Sequence, residues 1–307
     1  MSELLATKPK KKTQRQNGKG ATRRARPSSW LYEYSPKSSV RQPIKLIRDI
    51  FSNAWIGRRL AARLFVRNIT GQYRQTYFGY LWILVPTVIQ ICTWYFLSQQ
   101  RILQSEGLGD VSFLVFISVG TVLWQTFFDA FQAPLKATSS NTSLFTKLNL
   151  PREAFVLIAV GEVLFNFVVR MTLVVLICIP FGLYWSTLVF AGFCMVGLIA
   201  LGIAFGLWLT PIGMLYQDIG RTIGILSPFW MILTPVIYMA PKDQSYQVWM
   251  WLNPPAGLLA AARDSLVVGS ADMGPAFLWL ILTIPLLLSG LVWYRVAFPI
   301  VIERMAN

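Results

Sequence analysis

Long apolar runs separated by short polar pieces dominate the chain from about residue 79 onward. Six of them are long enough to cross a hydrocarbon core of about 30 Å, which takes about 20 helical residues. They lie near residues 79–97, 111–133, 154–179, 188–213, 222–239 and 275–297. The fifth is the shortest and carries Pro228 and Pro235, which predicts a kinked helix. Between the fifth and sixth runs, residues 240–274 contain Trp249, Trp251 and Pro254-Pro255. They also contain an apolar piece, Ala256–Val268, which as a helix is about 20 Å long and too short to span. An interfacial or re-entrant hairpin with its tryptophans at headgroup level is expected there. Ahead of the first run, Ile44, Ile47, Phe51, Ala54 and Trp55 recur at helical spacing. Gly57 is expected to interrupt this helix. After it, Arg59, Arg63 and Arg67 share one face and Ala61, Leu64 and Phe65 the opposite one, as in a helix lying flat on the cytoplasmic leaflet.

These patterns predict an all-α membrane protein with six transmembrane helices, an N-terminal amphipathic interface helix, and short outer helices between spans 5 and 6. Residues 1–43 form a basic cytoplasmic tail expected to be disordered, 44–76 the interface helix, 77–300 the six-span domain and 301–307 a cytoplasmic C-terminus. No cleavable signal peptide is expected, because the first long apolar run begins some 50 residues after Arg23-Arg24.

Charge supplies the orientation. The chain of 307 residues is 55% hydrophobic and only 13% charged, which excludes an ordinary soluble enzyme. Residues 1–76 hold 18 of the 28 Lys and Arg against three acids, whereas the rest holds ten of each sign. With both termini inside, 24 of the 28 basic residues are cytoplasmic, as the positive-inside rule requires of a cytoplasmic (inner) membrane protein. The basic tail then lies near anionic lipid rather than nucleic acid, gaining about 1 kcal/mol per basic residue close to the surface.

Absences narrow the chemistry. With no histidine there is no His-based acid/base catalysis or metal site, so no catalytic or metal-binding residue is assigned. Cys92, Cys178 and Cys194 fall in apolar runs and read as small buried hydrophobes. No GxxxxGK[ST] loop occurs. The chain is expected to need no cofactor of its own, and any ATP and Mg belong to a separate subunit.

Four constellations remain. Glu162, Asn166 and Arg170, four residues apart each time, form one polar stripe on the third span, which is either a structural ladder or part of a translocation path. Gly202 and Gly206 permit close helix packing, within the chain or between copies. Aromatic residues cluster at span ends as belt anchors, and some could line a path for sugar rings. The candidate lining is Trp82, Tyr95, Trp124, Phe229 and Tyr238 with the polar stripe. In the inside loop from Ala133 to Glu153, a Ser/Thr/Asn stretch precedes the apolar and basic piece Leu144–Leu150, stopped by Pro151. Leu144, Phe145 and Leu148 would need a partner surface, so a docking helix is expected rather than a plain connector.

Taken in order, several segments resemble the permease subunits of ABC-2-type exporters for O-antigen, capsule and teichoic acid. The interface helix runs into Tyr77-Phe-Gly-Tyr-Leu-Trp82 and Pro86. Further along come Lys147-Leu-Asn-Leu-Pro-Arg-Glu153, Gln217-Asp218-Ile-Gly-Arg221, Leu226-Ser-Pro-Phe229, Thr234-Pro-Val-Ile-Tyr238, and Leu252-Asn-Pro-Pro-Ala-Gly-Leu258 with Arg263. The resemblance covers about residues 45–300. It departs at Gln217, where a basic residue often precedes the Asp, and in the long basic extension.

The resemblance implies a homodimer with two copies of an ATPase docked beneath, moving a polyprenyl-pyrophosphate-linked glycan to the outer side. It implies that Leu144, Phe145, Lys147, Leu148, Pro151 and Arg152 couple to the ATPase. It casts Arg58, Arg59, Arg63 and Arg67 as a gate helix at the lipid headgroups, and Met239–Val268 as re-entrant outer helices. For those arginines, simple anchoring to anionic lipid is the alternative. Competing classes are a membrane enzyme acting on a lipid-linked sugar, for which Asp110, Asp129 and Glu162 look solitary, and a channel or ion-coupled transporter.

Overall fold

The computed structural model describes residues 43–74, 76–100, 110–141, 151–178, 185–239, 244–269 and 271–306. Among them are nine α-helices and no strand. In chain order these are α1 (Pro43–Tyr73), α2 (Val85–Gln99), α3 (Asp110–Ser139), α4 (Glu153–Cys178), α5 (Leu188–Leu215), α6 (Asp218–Leu233), α7 (Gln244–Leu252), α8 (Pro254–Val267) and α9 (Met273–Ala306). A 3-10 turn, Gly79–Ile83, leads into α2, and its first residue is a glycine in left-handed conformation with φ +53°.

Four helices are long and apolar enough to cross a membrane, over Phe113–Ser139, Glu153–Ile177, Leu188–Leu215 and Met273–Arg304. At 15 and 16 residues, α2 and α6 are shorter, about 22–24 Å at 1.5 Å per residue. The centre is formed by α3 and α5. Helix α5 is apolar on every side, and such a helix is stable only when neighbours cover it. Here α3, α8 and α9 do so. Gly202 and Gly206 lie directly against α3. An added Cβ at Gly202 would stand 2.6 Å from the Phe127 carbonyl oxygen, and one at Gly206 would collide with that of Phe131. The small-residue motif therefore serves contact within the chain. Gly202→Leu is expected to lower the thermal midpoint strongly, because a backbone carbonyl cannot move aside; a midpoint equal to wild type in nanodiscs would refute this contact.

Three details differ from the sequence expectation. Helix α1 runs unbroken through Gly57, whose missing side chain admits Ala154 and Pro151, so this glycine marks a contact and not a stop. The apolar face of α1 rests on α4, with Ala61 and Leu64 buried and Phe65 against Gly161. Pro228 lies inside α6 without ending it, while the helix stops at Leu233, before Pro235. Thr234 is extended (ψ 136°), the conformation a following proline favours.

Past that stop, α7 and α8 meet at Asn253 and are stitched to the end of α6. Trp230 Nε1 donates to Asn253 Oδ1 at 3.0 Å, Asn253 Nδ2 donates to Thr234 Oγ1 at 3.0 Å, and Trp249 Nε1 donates to the Leu233 carbonyl at 2.8 Å. Helix α8 is almost wholly buried, packed on α3, α5 and α9. Its Arg263 has no exposure at all. The guanidinium donates to the carbonyls of Pro235, Val236 and Tyr238, pairs with Asp264 at 2.7 Å, and lies 3.8 Å over the Phe116 ring. The carbonyls released by the unwound end of α6 are thus taken up by one cation. Cys194 is buried as expected, but Cys92 is exposed on α2, beside the uncovered Ile89 and Phe96.

Candidate functional site

The polar stripe of α4 faces other helices, not lipid. Arg170 Nη1 pairs with Asp129 Oδ2 of α3 at 2.7 Å, and Asn166 Nδ2 stands 3.5 Å from the same oxygen. Glu162 Oε1 accepts from Asn68 Nδ2 of α1 at 3.1 Å. The three residues reach across to neighbouring helices instead of bonding along their own.

Helix α3 answers with a stripe of its own, Gln125, Asp129, Gln132 and Lys136, at helical spacings of four, three and four. Asp129, which looks solitary in the sequence, is one member of a partly buried network. The signal for it was present as polar residues recurring every three or four positions, but it is diluted by Trp124, Phe127, Phe128 and Phe131 in between. Gln125 continues the network toward α2: Thr87 donates to its Oε1, and its Nε2 donates to Gln90 Oε1 at 2.7 Å. Gln90 Nε2 in turn reaches Met231 Sδ of α6 at 2.9 Å.

Two adjoining cavities follow these stripes. One, of about 190 Å³, is walled by Tyr73 at the end of α1, Trp82 of the 3-10 turn, Asp129 and Lys136 of α3, and Glu162, Asn166 and Arg170 of α4. The other, of about 260 Å³, shares Pro86, Asp129 and Arg170 with it and continues past Trp124, Gln90 and Ser227. Burial pushes the Tyr73 phenol above its ordinary range, so it stays a neutral hydroxyl.

Of the candidate lining residues, Trp82, Glu162, Asn166 and Arg170 come together in the first cavity and Trp124 joins in the second. Tyr95 and Phe229 are exposed elsewhere, and Tyr238 donates its hydroxyl to the Ile232 carbonyl.

The arginines of α1 divide. Arg58 lies 3.5 Å over the Trp55 ring, and Arg59 and Arg63 are exposed. Arg67, also exposed, donates to Asn141 Oδ1 at 2.6 Å, a buried residue just past the end of α3. Leu144, Phe145, Lys147 and Leu148 lie outside the described residues. Of their neighbours, Pro151 touches α1 at Gly57, and Arg152 donates to the Arg295 carbonyl at 3.1 Å. Close by, the buried pair Glu153–Arg295 (3.0 Å) joins the start of α4 to α9.

Four helices long and apolar enough to span, two of which carry facing polar stripes, define a multi-pass membrane protein. The chain is similar to the O-antigen export system permease protein RfbA of Myxococcus xanthus, with 25% identity over 223 residues, which is 71% of this chain and 82% of that protein. The resemblance to ABC-2-type export permeases read from the sequence is shown by this relative. No protein-family model matches the chain.

Proposed function

We propose that this chain is the membrane subunit of an ATP-driven exporter that moves a polyprenyl-pyrophosphate-linked polysaccharide of the O-antigen, capsule or teichoic-acid type from the cytoplasmic to the outer side of the inner membrane. The similarity to an O-antigen export permease over most of both chains carries this reading. A sheltered polar network inside an otherwise apolar bundle supports it, since polar groups within a membrane are costly unless they face one another or a hydrated space. Such a subunit carries out no chemistry itself. Two copies form the passage, and two copies of an ATPase supply the energy.

In this reading α2 with its 3-10 lead and α6 with its extended end complete six crossings, the bilayer thinning locally around the shorter helices. Both termini are cytoplasmic, and α7 with α8 forms the re-entrant outer hairpin. Leu144, Phe145, Lys147, Leu148, Pro151 and Arg152 serve the ATPase contact, and the α1 arginines face the phosphates of the lipid carrier or anionic lipid heads.

Reconstitution tests the reading. The purified chain is expected to hydrolyse no ATP alone, and to support hydrolysis and glycan export in proteoliposomes with a partner ATPase. The double variant Phe145→Asp, Leu148→Asp is expected to insert normally but lose ATPase binding, because charge removes the apolar contact a docking helix needs. Hydrolysis by the isolated chain, or full export by the double variant, would count against it.

A further inference from the structure

We propose that the cavity between Tyr73, Trp82, Asp129, Glu162, Asn166 and Arg170 is a subsite for one neutral sugar ring. This rests on the export reading and adds to it a binding place inside a single subunit, distinct from any passage between two copies.

Charge decides first. Two carboxylates, Asp129 and Glu162, and two cations, Lys136 and Arg170, line the space, so the lining has no net charge. A phosphate or pyrophosphate there would meet two like charges, and a metal ion or amine would meet two cations. A neutral ligand meets neither penalty.

Hydrogen bonding narrows it further. Asp129 and Glu162 offer acceptors, Lys136 and Arg170 donors, and Asn166 an amide with both, so the lining presents both kinds of group. A hydroxyl also both donates and accepts, so a polyhydroxylated ring suits such a mixed lining. Gln72 and Gln132 add amide donors and acceptors around the rim.

Shape supplies the third argument. Tyr73 and Trp82 place two aromatic side chains on a wall that mixes polar groups with aliphatic ones such as Ile69, Ile83 and Val163, and an aromatic face suits the C–H face of a pyranose. A volume of about 190 Å³ is of the order of one sugar ring. The sequence already separates the two kinds of wall: Gln72 and Tyr73 come from the end of α1, Trp82 from the turn after it, and the polar stripes from two long spans. The cavity therefore exists only while α1 is seated on α4, where Asn68 holds it to Glu162.

The test uses the full chain in phospholipid nanodiscs prepared without any glycosidic detergent, since a maltoside headgroup would compete. Saturation-transfer NMR is recorded with methyl glycosides of glucose, mannose, galactose, rhamnose and N-acetylglucosamine at millimolar concentration, and with inorganic pyrophosphate as a competitor. Ring protons of at least one glycoside are expected to receive saturation, and pyrophosphate is expected not to displace it. Trp82→Ala and Asn166→Leu are each expected to weaken binding about tenfold, equal to about 1.4 kcal/mol, while Phe193→Ala, on an exposed part of α5, leaves it unchanged. Trp82 is half-exposed, and leucine shares asparagine's branch at Cγ and its number of side-chain heavy atoms, so both variants are expected to fold.

No saturation of any glycoside, or equal saturation in both cavity variants, would overturn the proposal and leave the space to water alone. Displacement by pyrophosphate would also overturn it. Because this measurement needs no ATPase, its failure is distinct from that of the export reading: export by the reconstituted complex without glycoside binding removes only the subsite.

Discussion

Arg263→Leu is expected to destabilise the chain by about 3–5 kcal/mol, the range for removing one partner of a buried charged network. The residue has no exposure and serves the carbonyls of Pro235, Val236 and Tyr238 at once. Leucine fills much of the volume but leaves those acceptors unmatched, at about 1–3 kcal/mol for each buried group without a partner. The unwound end of α6 would then lose its anchor on α8, and the Asn253 junction with it. The measurement is the thermal midpoint and recovered amount of the chain in nanodiscs. Arg263→Lys is expected to fall between the two, because an ammonium keeps the charge near the carbonyls but loses the separate Nε donor to Asp264 and the planar contact over Phe116. A leucine variant as stable as wild type would mean that water or neighbouring amides satisfy these carbonyls instead.

The second large effect is expected at Arg170. Arg170→Leu removes the partner of Asp129, leaving that carboxylate with only the long contact to Asn166. The expected cost is about 2–3 kcal/mol, below the range for fully buried pairs because Asp129 keeps about a third of its exposure. A double-mutant cycle gives the sharper reading. Asp129→Asn with Arg170→Gln is expected to be more stable than the sum of the single changes by about 1–2 kcal/mol, since contacting residues couple by amounts of that order. Additive losses would show that the two side chains merely lie close together.

How far the candidate site can be read from sequence depends on how local its signal is. Glu162, Asn166 and Arg170 stand out because three strongly polar residues at four-residue spacing share one face of an apolar helix. The matching stripe on α3 escapes notice because Gln125, Asp129 and Gln132 are interleaved with Trp124, Phe127, Phe128 and Phe131. Arg263 looks like an outer-loop charge, and nothing in its own segment reveals that α6 unwinds opposite it. Gly57 looks like a helix breaker, whereas its meaning lies in Ala154 and Pro151, almost a hundred residues further on.

The amino-acid sequence by itself determined the helical class, six apolar runs of which the structure makes four into long spans, the amphipathic helix ahead of them and the charge asymmetry of the chain. The first three follow from the length and periodicity of apolar runs and the last from where the charged residues fall along the chain, all of them local properties of the sequence. The tertiary structure alone decided the placement of α1 on α4, the use of Gly202 and Gly206 against α3, the end of α6 at Leu233, and the meeting of Asp129 with Arg170. Those features depend on which surfaces are brought together. A buried charge or a bare backbone carbonyl has a low free energy only when a particular distant residue supplies its partner, and no window of sequence contains both halves of such a pair.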